Sequence, residues 1–150
     1  LKVSDITLLG ERERCDEPIL MAEDSPLLSQ LISDSLKKAG YTNLIRTANG
    51  DEAWKQLEKF KKEGNPTEKV SCIITDIEMP VMDGHRLTKL VKSDEELKSI
   101  PLVIFSSLVN DEMRAKGHAL GADYQLSKPE IGSLVQVIDK LLGKGTEENE

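Results

Sequence analysis

Hydrophobic residues fall along this chain in two alternating patterns, and the alternation predicts the fold class. Five short apolar runs recur at fairly regular intervals, at Ile19 to Ala22, Leu44 to Arg46, Val70 to Thr75, Leu102 to Phe105 and Tyr124 to Leu126. Each has the length of a buried strand. Between them, apolar residues are spaced three and four apart, as on one face of a helix. Leu27, Leu28, Leu31, Ile32 and Leu36 give the first helix, with Ser25 as N-cap, Pro26 at the first helical position and Gly40 past the end. Ala53, Trp54, Leu57 and Phe60 give the second, ended near Gly64-Asn65-Pro66, and Leu87, Leu90 and Val91, with Leu97 at the margin, give the third. Asn110 caps a fourth segment, weakened by the poor helix former Gly117. Leu134, Val135, Val137, Ile138, Leu141 and Leu142 mark the fifth after Pro129, closed by Gly143.

Strands that alternate with helices, each too apolar to keep one face in water, predict a parallel sheet covered on both sides and joined by right-handed crossovers. The expected fold is therefore a doubly wound α/β three-layer sandwich occupying residues 18–143. Residues 1–17 show no sustained period and carry dense charge from Glu11 to Glu17, as expected of a linker or of the tail of a preceding domain. Residues 144–150 form an acidic tail expected to be disordered.

Composition narrows the function classes. A net charge of −7 opposes attraction to nucleic acid, whose binding energy comes largely from cations neutralising phosphates. With 38% apolar and 31% charged residues, the chain holds a core for one domain and no continuous membrane-spanning run. It begins at Leu1 without a secretion-type leader, which gives the expectation of a piece of a longer cytoplasmic protein. Cys15 and Cys72 stand far apart and match neither a disulfide framework nor a paired metal spacing, so both are expected to be reduced thiols.

In parallel sheets of this kind, ligands bind at the carboxyl ends of the strands. Reading off those ends gives Glu23 and Asp24 after the first strand, Asp76 after the third, Ser106 and Ser107 after the fourth, and Lys128 after the fifth. Crowded carboxylates repel, and Asp24 with Asp76 supplies the small number of anionic ligands with which proteins hold Mg2+. A strand-end carboxylate is also a nucleophile for an in-line phosphoryl donor, and Asp76 is the candidate. Ser106 as a hydrogen-bond donor and Lys128 as a cation would then screen the phosphoryl oxygens. Taken singly, each residue has a plainer reading: Glu23 and Asp24 as partners of a helix dipole, Ser106 as a loop hydroxyl, Lys128 as a surface lysine. Their joint placement at successive strand ends favours the chemical reading.

These residues lie in motifs that resemble the response-regulator receiver family over about Pro18 to Leu142. The matching segments are Met21-Ala22-Glu23-Asp24-Ser25, Thr75-Asp76-Ile77-Glu78-Met79-Pro80 with Met82-Asp83-Gly84, Phe105-Ser106-Ser107, and Ser127-Lys128-Pro129. The resemblance implies a flavodoxin-like (CheY-like) fold with strand order 2-1-3-4-5. It also implies Mg2+ as cofactor, held by Glu23, Asp24, Asp76 and the main-chain carbonyl of Glu78, and phosphorylation of Asp76 with Ser106 and Lys128 assisting. A histidine kinase of the CheA type is the implied phosphodonor, so the domain is a signalling phosphoacceptor rather than a turnover enzyme. Further detail is most similar to the receiver of CheV-type chemotaxis proteins, which follows a CheW-like coupling domain and works beside chemoreceptor arrays. The relevant segments are Phe105 to Leu108, Lys116-Gly117 through Asp123, and Gln125 to Ile131.

Two other readings compete: an aspartate-nucleophile phosphatase of the haloacid dehalogenase type, and a degenerate receiver serving only as a protein-binding scaffold. One departure from the family concerns the place three before the lysine, where many receivers carry an aromatic switch residue and this chain has Gln125. Tyr124 is its neighbour, but adjacent strand side chains face opposite ways, so Tyr124 is expected to be a packing residue. Trp54 is also expected to pack, His85 and His118 to be ordinary surface or helix positions, and Gly84 to permit a tight turn.

Overall fold

The computed structural model describes residues 17–107, 110–127 and 131–142. Strands β1 (Ile19–Ala22), β2 (Leu44–Thr47), β3 (Cys72–Thr75), β4 (Leu102–Ser106) and β5 (Tyr124–Ser127) form one sheet in the order β2-β1-β3-β4-β5. All pairs are parallel. Helices α1 (Pro26–Lys38), α2 (Gly50–Glu63), α3 (Gly84–Lys92), α4 (Asp111–Leu120) and α5 (Ile131–Leu141) alternate with them, and a one-turn helix, Pro66–Lys69, precedes β3. The flavodoxin-like order expected from the resemblance is the observed one. Residues 1–16, 108–109, 128–130 and 143–150 lie outside the described residues, and with them Cys15, Leu108, Lys128, Pro129, Glu130 and the helix-closing Gly143.

Side chains alternate along each strand, so the sheet divides the core into two layers. Leu20, Ala22, Ile73 and Ile104 meet Ala53 and Leu57 of α2 and Leu87 and Val91 of α3 on one face. Ile19, Met21, Cys72, Ile74, Val103 and Phe105 meet Ile32 and Leu36 of α1 and Leu134 and Ile138 of α5 on the other. Each fully buried leucine or isoleucine contributes about 1.5–3 kcal/mol. Trp54 packs against the first layer and Tyr124 against the second, as their positions predict.

The helix starts follow the sequence signals. Ser25 Oγ accepts from the Leu28 N–H at 3.3 Å, and Asn110 Oδ1 accepts from the Met113 N–H at 2.8 Å. Differences lie at the edges of elements. β3 begins at Cys72 rather than Val70, and α3 stops at Lys92, so Leu97 is buried from the turn that follows. The short Pro66–Lys69 turn has too few residues to show a period.

Candidate functional site

The acids owe their closeness to sheet register. β1 and β3 are neighbours, with Ala22 paired to Thr75, so the chain leaves both strands at the same height. The ladder continues a step further: Asp76 N–H donates to the Ala22 carbonyl at 3.0 Å, and Glu23 N–H donates to the Thr47 carbonyl at 3.1 Å. Carboxylate oxygens of Glu23, Asp24 and Asp76 lie within 4.8 Å of one another. Glu23 and Asp76 are each 5% exposed, whereas Asp24 is open to solvent.

Backbone donors fix the two buried acids. Asp76 Oδ1 accepts from the Ile77 N–H at 2.7 Å, and Glu23 Oε2 accepts from the Ser25 N–H at 3.0 Å. From beneath, Thr75 Oγ1 donates to the Asp76 carbonyl at 2.8 Å. Gly84, at the start of α3, packs on the same carbonyl: a Cβ there would sit 1.9 Å from the Asp76 oxygen. Its φ is not positive, so close approach, and not the tight turn expected from sequence, is the reason for glycine.

The loop between β3 and α3 is held at several points. Gly84 N–H donates to the Ile77 carbonyl at 2.8 Å, and Gly50 N–H of α2 donates to the Met82 carbonyl at 3.0 Å. Met82 N–H also donates to the Pro80 carbonyl at 2.7 Å, which closes a γ-turn around Val81 at φ 69°. Glu78 is exposed on this loop. With Asp24, Met79, His85, Met113 and Lys116 it lines a cleft of about 600 Å3 beside the acids.

Ser106 is the last residue of β4, fully buried, and not in the loop beyond it as the apolar run indicates; Ser107 is exposed. Ser106 pairs with Ser127, the end of β5 and the residue before Lys128. Lys128 itself lies outside the described residues, so the structure brings together Glu23, Asp24 and Asp76 and places Glu78 at the cleft.

His85 departs from its expectation. It is helical but 4% exposed, and its Nε2 finds no hydrogen-bond partner among the described residues. Burial first, then the Lys116 ammonium, holds the imidazole below its ordinary range against the opposing pull of Asp83. Sequence reasoning also missed Met113 and Lys116 as walls of the cleft. Their three-residue spacing on α4 was the available signal, masked by the weak apolar pattern of that helix. Cys72 is a buried core thiol, pushed up to about 12 chiefly by desolvation.

The pattern for the response regulator receiver domain matches residues 19–139. The chain belongs to that family. The receiver is similar to the gliding motility regulatory protein of Myxococcus xanthus, at 32% identity over 125 residues, covering 82% of this chain and 15% of that protein. It is similar to chemotaxis protein CheV3 of Helicobacter pylori, at 28% identity over 135 residues, covering 89% of this chain and 43% of CheV3. The receiver thus spans less than half the length of either relative. Among solved structures it resembles the Mn2+-bound form of response regulator Rcp1, with a TM-score of 0.73 at 25% identity, covering 87% of this chain and 96% of that one. As a receiver domain of the kind found in two-component and chemotaxis regulators, it leaves the haloacid dehalogenase reading without support. Among the described residues, no helix is long and apolar enough to cross a membrane.

Proposed function

We propose that Asp76 is the phosphoacceptor of this receiver, taking its phosphoryl group from the phosphohistidine of a CheA-like histidine kinase in the cytoplasm. One observation carries the reading: three carboxylates from two in-register strands converge within 4.8 Å, with Asp76 buried and its Oδ1 pinned by the Ile77 N–H. An all-oxygen acidic donor set fits a hard divalent cation. Glu23, Asp24, Asp76 and the Glu78 carbonyl would hold Mg2+, which when bound supplies charge neutralisation for the acids and the phosphoryl oxygens.

The Ile77 amide fixes the Asp76 carboxylate at the end of β3, and a carboxylate oxygen of Asp76 is the attacking atom. It forms a bond to phosphorus while the bond from phosphorus to the donor imidazole nitrogen breaks; that electron pair stays on the imidazole, which takes a proton from solvent. Such a transfer needs positioning and charge stabilisation more than proton chemistry. Ser106 at the end of β4 donates a hydrogen bond to a phosphoryl oxygen, and Lys128 supplies a positive charge. The domain is a signalling phosphoacceptor that assists its own loading and unloading. The similarity to CheV3 supports a chemotaxis setting, with a CheW-like neighbour before residue 18 and chemoreceptor arrays as the surroundings.

Incubation with acetyl phosphate and Mg2+ tests the assignment. A mass increase of one phosphoryl group is expected in the wild-type chain and none in Asp76→Asn, which keeps size and fold but loses the nucleophile. Equal modification of a folded Asp76→Asn chain would refute it.

A further inference from the structure

Gly50, the first residue of α2, lies hard against the β3–α3 loop. A Cβ there would sit 2.6 Å from the Met82 carbonyl oxygen and 3.0 Å from Met82 Cγ, so a residue with a side chain fits only if that main chain moves. The residue before it answers a second, unrelated demand. Asn49 is the N-cap of α2, and its Oδ1 accepts from the Glu52 N–H at 2.9 Å. Packing and capping together thus place an asparagine before a glycine, the only such pair in the chain.

That pair carries a reactivity which neither demand calls for. A glycine nitrogen, with no side chain to shield it, can attack the side-chain carbonyl carbon of the asparagine before it. The Gly50 nitrogen loses its proton to a base in solvent and bonds to Asn49 Cγ, while the bond from Cγ to the side-chain nitrogen breaks. That nitrogen leaves as ammonia, taking a proton from water, and a cyclic succinimide remains. Water then opens the ring at one carbonyl or the other, giving aspartate or isoaspartate. In the folded chain both partners of the attack are engaged: Gly50 N–H donates to the Met82 carbonyl at 3.0 Å, and Glu52 holds Asn49 Oδ1 over the helix start. The carbonyl that demands glycine also restrains the chemistry that glycine allows.

We propose that Asn49 is a modification site gated by the β3–α3 loop: it converts to aspartate and isoaspartate when the Met82 carbonyl releases Gly50, without unfolding of the sheet. The loop is suited to such local opening. Val81, next to Met82, holds φ at 69° and is 80% exposed, so strain favours release and little apolar contact opposes it. The two products differ in consequence. Aspartate keeps a capping oxygen and adds negative charge at the start of α2, where the helix dipole favours it. Isoaspartate routes the main chain through the former side chain, lengthens it and draws Gly50 away from Met82, freeing the loop that carries Glu78 beside the acids. None of this depends on Asp76 being a phosphoacceptor.

Incubation of the full chain in mildly alkaline buffer at body temperature, followed by tryptic mapping, tests it. Asn49 falls in the peptide Thr47–Lys55, which Trp54 makes easy to follow and in which both products are heavier and elute apart. Conversion is expected to run at least about tenfold slower in the folded chain than in guanidinium chloride, and the Gly50 amide should show protection from hydrogen exchange of the same order. Two N-cap deletions of similar cost then separate local from global opening. Asp83→Ala frees the loop at the start of α3, where Asp83 Oδ1 accepts from the Arg86 N–H at 2.8 Å, and should speed conversion at least about threefold. Ser25→Ala, at the start of α1 on the other face of the sheet, should leave the rate unchanged. A folded chain that converts as fast as the denatured one would overturn the protected site. Equal rates in the two variants, raised or not, would overturn the loop as its gate.

Discussion

At the scale of single residues, side chains here matter as much for the space they leave as for the groups they carry. Gly84 has no functional group, yet the Asp76 carbonyl occupies the volume its Cβ would need. Gly84→Ala is expected to cost about 1–3 kcal/mol by overpacking, read as a fall in urea midpoint, and to slow acetyl phosphate labelling by displacing Asp76. An unchanged midpoint would show that the backbone yields freely. His85 gives a pH dependence. Burial depresses its folded value below that of the unfolded chain, so the unfolded chain binds more protons in the window between the two. The stability tied to neutral His85 is complete above about pH 6.5 and is lost as pH falls through the folded value. Urea midpoints between pH 7.5 and 5.5 should decline less steeply in His85→Leu than in the wild type.

At the scale of elements, the loop from β3 to α3 stands out because it is fixed at both sides and strained in the middle. Gly50 of α2 grips the Met82 carbonyl, Gly84 grips Ile77, and Val81 between them takes a left-handed conformation that β-branched residues rarely adopt. Val81 is 80% exposed, so little packing is at stake there. Val81→Asn, which tolerates positive φ, is expected to raise stability by about 1 kcal/mol, measured by urea titration. A loss of stability would mean that the valine makes contacts outweighing the strain. The helices differ in kind as well. α1, α2, α3 and α5 are held by apolar stripes, and α4 by hydrogen bonds to β5.

At the scale of the whole molecule, what could be read from sequence follows what repeats. The alternation of apolar runs and helical spacing carried the three-layer architecture, because burial on both faces leaves a long, regular signature in β1, β3 and β4. Ser25 and Asn110 were legible as caps for the same reason: a local hydrogen bond sets the residue type. Glu23, Asp24 and Asp76 could be listed as strand ends, but their approach to within 4.8 Å depends on the register of β1 against β3, which no local signal encodes. The buried place of His85, the space at Gly84 and the paired hydrogen bonds between Gln125 and Arg114 were not legible either. Each arises where two elements distant in sequence touch, so the determining partner lies outside any local window. Ser106 fell between these cases, its type readable and its burial not, since a terminal strand serine looks like a loop serine until the neighbouring strand is in place.

Cys72 lies at the start of the central strand, wholly covered, between Ile19 of β1 and the α1–α5 layer. Its thiol, held near 12 by desolvation, is almost entirely protonated at neutral pH and out of reach of reagents while the sheet is intact. The protein therefore carries its own clock for global opening. In a Cys15→Ser background, the rate at which a thiol reagent labels Cys72 counts excursions to the unfolded chain. A ligand that binds only the folded form should slow that count by the factor one plus its concentration over its dissociation constant. Mg2+ is expected to slow labelling in the wild-type acid cluster and much less in Asp24→Asn, so metal binding becomes measurable without any phosphoryl transfer.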